Sequence, residues 1–365
     1  MRRPLEIRDL KAEIPVIQGG MGVGVSLSGL AGNVAKCGGI GIISTAQIGY
    51  QEPEFDQFPI ETNLKAIKTQ ISRAKEIAEG GIIGVNIMVA TRRYGEYVRA
   101  AAEAGADLII SGAGLPTNLP ALTGNAKTKI APIVSSLKSA SVICRLWDRK
   151  YGRCPDLVVI EGPKAGGHLG FSLDELKNMQ EEDYETEIKR IIELVNQYSE
   201  KYQYHIPVVV AGGIYDGKDM KHMLELGADG VQAATRFVTT WECDASESYK
   251  EAYLKAGKED IQIVKSPVGM PGRAIRNQFI RETEQSSQSV LLENEEHFGG
   301  KNSWKCHQCL EKCNPKEIPY CITDALINAV KGNIEHGLIF CGSNAWRAEK
   351  MEHVSEIMKE FAEYL

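Results

Sequence analysis

Short apolar runs alternate with longer segments of helical period from the start of the chain to about residue 240. The runs are Val16–Gln18, Ile40–Ser44, Ile82–Met88, Leu108–Ser111, Ala131–Ser135, Leu157–Glu161, Pro207–Ala211 and Gly230–Ala233. Each is too short for a helix and reads as a buried strand. Between them lie Leu27–Cys37, Asn63–Glu79, Tyr94–Ala104, Lys138–Lys150, Thr186–Tyr202 and Gly217–Leu226. Apolar residues recur there at helical spacing, as in Ile188, Ile191, Ile192 and Val195. Several of these segments end at a glycine just before the next strand, as at Gly105 and Gly227, where a helix C-terminus favours it. Alternating strands and helices predict a parallel sheet. Eight units over residues 1–240 predict a closed (β/α)8 TIM barrel, with an open doubly wound sheet as the alternative.

A barrel of this kind builds its active site from residues that follow the strands. The polar and glycine-rich segments fall there: Gln18–Gly24 after the first strand, Asn86 at the end of the third, and Ser111–Gly114 after the fourth. Ser135–Lys138, Glu161–His168, Ala211–Ile214 and Gln232–Phe237 follow or close the remaining four. Beyond residue 240 the alternation stops. Ser266–Ile275 is turn-rich, 282–302 is polar and loop-like, and Gly299-Gly300 marks a break. A cysteine-rich segment, 306–321, precedes a helix over Thr323–Val330 with Thr323 as its N-cap, and a last helix runs from Val354 to the end. Residues 241–365 are therefore expected to cover one end of the barrel.

Composition narrows the class. Apolar residues make up 43% and charged residues 25%, as in an ordinary globular protein. The net charge, 42 − 48 = −6, gives no polybasic surface for nucleic acid or anionic lipid. No apolar stretch reaches the length of a membrane span. Charges interrupt the N-terminal ten residues where a signal peptide needs an apolar region, and the nine cysteines are odd in number. Both point to a reducing cytoplasm.

The richest segment is Glu161-Gly-Pro-Lys-Ala-Gly-Gly-His168. A strand ends there in an acid, a tight glycine turn and a histidine able to exchange protons near neutral pH. The loops after strands seven and eight fall where barrels bind phosphate. Backbone N–H groups of Gly212, Gly213 and Ile214 are expected at an anion, with Ala234 and Thr235 closing the site. Gly20-Met21-Gly22 lacks dinucleotide spacing and reads instead as a flat surface under a planar ring, with Asn86 and Gln232 offering amide hydrogen bonds. One phosphate plus a planar heteroaromatic points to FMN rather than NAD or FAD.

On these motifs residues 12–280 resemble the nitronate monooxygenase (2-nitropropane dioxygenase) family and its relatives, the FMN-dependent enoyl-acyl-carrier-protein reductases. The resemblance rests on Pro15–Gly22, Gly84–Met88, Glu161–Gly170, Ala211–Ile214 and Gly230–Phe237. It implies FMN in a barrel, phosphate on Gly212, Gly213 and Thr235, and cofactor contacts from Gly20, Met21, Gly22, Asn86, Glu161, Gly167, Ala211, Gln232 and Ala234. It makes His168 the catalytic residue. Ala234 stands where the family has glycine, and Lys164 where it often has an acid. Two reactions share such a site: oxidation of an alkyl nitronate by O2 to a carbonyl compound and nitrite, and NAD(P)H-dependent reduction of an enoyl thioester. In the second, Arg273 and Arg276 would contact anions. A flavin-binding redox sensor is the non-catalytic alternative. Fold analogy implies a homodimer.

The spacing Cys306-x2-Cys309-x3-Cys313-x7-Cys321 suits four thiolate ligands, for a [4Fe–4S] cluster or zinc, with His307 a substitute for one sulfur and free thiols as the alternative. It is similar, with a shorter last gap, to the four-cysteine motif of some flavin-dependent ene-reductases.

Overall fold

The computed structural model describes residues 4–267, 269–289, 306–314 and 318–365. Eight parallel strands close into a barrel: Val16–Gln18, Ile40–Ser44, Ile82–Met88, Leu108–Gly112, Lys129–Val134, Val158–Glu161, Val208–Ala211 and Gly230–Ala233. The eighth pairs with the first, Val231 opposite Val16. Helices follow the strands at Ser28–Lys36, Pro59–Ala78, Tyr94–Glu103, Leu137–Tyr151, Glu181–Tyr202 and Gly217–Glu225.

The period-2 geometry of a strand sorts the apolar side chains into two cores. Ile40, Ile42, Leu108, Ile110, Val159 and Val209 point into the barrel. Ile43, Val85, Ile109, Val158, Ile160 and Val210 point out against the helices. Leu5, Ile7 and Ala12, from an N-terminal hairpin (Leu5–Ile7 with Leu10–Ala12), join the inner core. Three acids preceding strands fix the register. Asp107 accepts the N–H of Ile83 at 2.9 Å, Asp156 that of Ile130 at 2.9 Å, and Asp229 that of Val208 at 2.9 Å. The repeated Gly-Ala-Asp after helices thus ends one element and ties two strands.

The C-terminal third is woven into the barrel. Ile261–Lys265 and Pro271–Ile275 form a hairpin that pairs with Gly167–His168. The last helix, Val354–Ala362, packs Ile357 and Phe361 with Leu30, Val34 and Phe237. Arg236 bonds Glu352 and, at 3.0 Å, Glu360. The first helix lacks a side-chain cap of its own; Asp244 supplies one from far along the chain, accepting from Leu27, Gly29 and Leu30.

Two expectations change. Thr323 lies inside its helix, Ile322–Val330, because Cys321 takes the extended N-cap position and makes no side-chain cap bond. The polar stretch from 282 begins within a helix, Gln278–Ser289, rather than a loop. Its apolar positions Phe279 and Ile280 give that helix a packed face. Residues 290–302, with Gly299-Gly300, lie outside the described residues.

Candidate active site

A cavity of about 900 Å3, mouth included, opens at the C-terminal ends of the strands. Gly20, Met21, Gly22, Glu161, Gly167, Ala211, Gly212, Gly213, Gln232, Ala234 and Thr235, all expected at the site, line it.

Two loops make one wall. Gly212 and Gly213 have φ of +96° and +89°, a conformation that L-residues resist and that turns successive N–H groups the same way. Among the described residues, the N–H groups of Gly212, Gly213, Ile214, Ala234 and Thr235 donate to no protein acceptor. Ser343 Oγ, beside Gly342, is buried and also without a partner. Thr235 Oγ1 accepts the Gly342 N–H at 2.8 Å and keeps its own proton to donate. Buried donors with no internal acceptor need one from a ligand or water, and this set suits the oxygens of a single phosphate. Ala234 has φ −121°, so a side chain is accommodated where the family has glycine.

The floor is backbone. A Cβ on Gly20 would come within 2.5 Å of the Asn86 Cβ, so the chain passes directly against the end of the third strand. Met21 is held by Ser26, whose Oγ accepts its N–H at 2.8 Å. Among the described residues the Gln232 side-chain amide makes no hydrogen bond and lines the cavity, whereas Asn86, expected at the site, does not line it and lies beneath Gly20.

The opposite wall carries the titratable groups. Glu161 faces the cavity, and burial pushes its carboxyl up to about 7. His168 is not among the lining residues. Its ring stands edge-on to Phe340, which does line the cavity, at 5.1 Å, and Nε2 lies 2.7 Å from Ser266 Oγ. Burial lowers its pKa to about 4, so the imidazole is neutral at neutral pH. Lys164 pairs with Glu181 at 2.7 Å, which turns its charge outward while its stem lies against Gly213.

Sequence reasoning missed Tyr249, Tyr253, Phe340, Cys341, Gly342 and Asn344, all from the C-terminal third. Asn344 donates to Gly213 O at 2.6 Å, and Tyr253 to Phe340 O. The only signal was Leu338–Phe340 running into Gly342, an apolar run ending in a glycine turn. Arg273 is not free for an anion: it donates to the carbonyls of Ala165 and, at 2.9 Å, of Pro163, clamping the loop between Glu161 and His168. Arg276 lines a separate surface pocket with Lys255 and Arg281.

The cysteine segment docks on the loop after the third strand. Thr91 bridges Leu310, and the Glu311 N–H donates to Ala90 O at 3.0 Å. Cys306 is exposed, and Cys309, Cys313 and Cys321 are half-buried.

Unpartnered N–H groups after strands seven and eight and the buried Glu161 after strand six thus meet at one end of a (β/α)8 barrel, and comparison with known proteins makes it an oxidoreductase. The chain belongs to the nitronate monooxygenase family, whose profile matches residues 4–363. That family and the FabK type depend on flavin. A probable nitronate monooxygenase of Staphylococcus aureus (strain Newman) is 26% identical over 297 residues, 76% of this chain and 79% of that one. A (3aS,4S,5R,7aS)-5-hydroxy-7a-methyl-1-oxo-octahydro-1H-indene-4-carboxyl-CoA dehydrogenase of Rhodococcus jostii (strain RHA1) is 27% identical over 74% of this chain, and the match spans 65% of its length. FabK of Thermotoga maritima superposes with a TM-score of 0.70 at 25% identity, covering 97% of this chain and 93% of FabK. Nitroalkane oxidase of Streptomyces ansochromogenes, at 18% identity and a TM-score of 0.67 over 96% of both chains, shares the fold. Among the described residues no helix is long and apolar enough to cross a membrane.

Proposed function

We propose that this protein binds FMN and oxidises alkyl nitronates with O2 to carbonyl compounds and nitrite. The observation that carries the reading is the set of unpartnered N–H groups at Gly212, Gly213, Ile214, Ala234 and Thr235, sized for one phosphate, beside a glycine floor suited to a flat ring. Bound there, FMN would supply the electron acceptor and the site of reaction with O2. Gly20, Met21 and Gly22 would support the ring, and Gln232 would offer its amide to the ring's edge, with Asn86 beneath Gly20.

His168 is the proposed catalytic residue, held in place by Ser266. Neutral at working pH, it holds an anionic nitronate by hydrogen bonding rather than by charge. Glu161, titrating near 7 and lining the cavity, is the group matched to taking the α-proton from a neutral nitroalkane. Phe340, Tyr249 and Tyr253 keep bulk water from the enclosed side of the cavity.

Reduction of an enoyl thioester is the second reading, favoured by the FabK superposition and by the CoA-thioester relative. An anaerobic titration separates the two. Under the first reading a nitronate bleaches the flavin absorbance and NADH or NADPH does not. Bleaching by a reduced nicotinamide, reversed by an enoyl thioester, would refute nitronate oxidation in favour of the reductase. The same holoprotein, gel-filtered, tests the proposed homodimer.

A further inference from the structure

We propose that Cys306, Cys309, Cys313 and Cys321 ligate an iron–sulfur cluster at the mouth of the barrel, on the loop that follows the third strand. The inference does not depend on which reaction the main cavity performs.

The first observation is a preformed ligand loop. Gln308 has φ +51°, a left-handed turn between Cys306 and Cys309, and its N–H points at Cys306 Sγ at 3.4 Å. Turns of this hand expose backbone N–H groups to sulfur, the outer hydrogen bonding that stabilises metal thiolates. The loop is anchored at both flanks. Arg92 N–H donates to Cys309 O at 3.1 Å, and Arg93 N–H to Glu311 Oε1 at 3.3 Å.

The second observation is convergence from two elements. Cys321 takes the N-cap position of the helix Ile322–Val330. His307, which sits between Cys306 and Cys309 in the loop, presents a ring nitrogen within 4.8 Å of Cys321 Sγ, so the loop and the start of this helix meet. No cysteine of the four is paired in a disulfide.

Spacing between the sulfurs chooses the metal. A zinc tetrahedron with Zn–S of about 2.3 Å needs sulfurs about 3.8 Å apart. Among the described residues, the one group of three candidate ligand atoms within 4.8 Å of one another is His307, Cys321 and Asp324, which contains a single sulfur. Among the described residues no three of the four thiols thus stand at the separations of a zinc tetrahedron, and the wider centre that four thiolates can hold is an iron–sulfur cluster. His307 is the buried floor of this site rather than a ligand. It is 7% exposed, stacks on Phe55 at 5.2 Å and bonds Asp324 through Nε2 at 2.6 Å. Its Nδ1 is buried and has no protein partner, leaving it available to a cluster sulfide.

Metal and acid-labile sulfide analysis of the full-length protein, purified without oxygen, tests the proposal. Expected are about four iron and four sulfide per chain and a broad brown absorbance beyond any flavin band, bleached by dithionite. Cys309→Ser, and separately Cys313→Ser, should lose the iron, whereas Cys37→Ser, distant in sequence, should keep it. Iron- and sulfide-free wild-type protein overturns the proposal. So does one zinc per chain that Cys313→Ser retains and His307→Ala loses, because that assigns the site to His307, Cys321 and Asp324. The wild-type analysis stands even if the serine variants fail to fold.

Discussion

The two walls of the cavity are built in opposite ways. The wall after strands seven and eight is main chain: its donors are N–H groups, and its geometry comes from two left-handed glycines. The opposite wall is side chain: Glu161, Phe340 and the tyrosines line it, His168 stands behind Phe340, and contacts from more than a hundred residues away hold it, such as Arg273 on Pro163 and Ala165. The first wall is set by local backbone conformation and is indifferent to most substitutions except those that add a Cβ. The second depends on individual groups, and their charge states respond to burial. Holding a cofactor and moving a proton are thereby separable.

That separation can be broken experimentally. The largest effect is expected on the side-chain wall: His168→Ala and Glu161→Gln should each lower turnover by about 100-fold or more while FMN content stays full, measured by steady-state kinetics and flavin absorbance. Lost flavin with unchanged turnover after reconstitution would contradict both roles. On the main-chain wall the pattern should invert. Gly212→Ala places a Cβ 3.0 Å from the backbone of Gly162 and Ala165 at a φ of +96°, so FMN affinity should fall about tenfold, read by fluorescence titration. At saturating FMN its turnover should return to within a few-fold of wild type.

A smaller effect concerns stability against pH in the flavin-free protein. Glu161, ordinarily near 4.5, is held up to about 7, so folding favours its protonated form and this group lowers stability as pH rises from about 4.5 to about 7. His168, ordinarily near 6.5, is held down to about 4, so it lowers stability as pH falls from about 6.5 to about 4. The slopes oppose each other between about 4.5 and about 6.5. Glu161→Gln should therefore leave a Tm that rises with pH across that window, and His168→Ala one that falls. Identical profiles for both variants would argue against these environments. The smallest effect is Tyr253→Phe, which deletes one hydrogen bond to Phe340 O and should cost about 1 kcal/mol of stability in denaturant melts.

The barrel was legible because each strand had to be apolar on both faces and each helix on one. Strands such as Ile40–Ser44 and Ile82–Met88 appear where the pattern puts them. The main-chain wall was legible for a related reason: glycine pairs after strands have few other uses. Half of the other wall was not. Tyr249 and Tyr253 sit at ordinary helical spacing, and Phe340 belongs to an apolar run like any core strand. What brings them to the cavity is the bridge of Ala274 to Phe340 and the pairing of Gly272 with His168, contacts that no local pattern encodes. Thr323 misled as a cap because its neighbour Cys321 reached the extended position first.

Gly166 lies so close to the chain at 341 that a Cβ there would come within 2.5 Å of the Cys341 carbonyl carbon. During synthesis, then, the barrel strands emerge long before the stretch that shuts against them. The eight strands alone leave the pocket without Phe340, Cys341, Gly342 and Asn344, so a complete pocket requires the chain through residue 344.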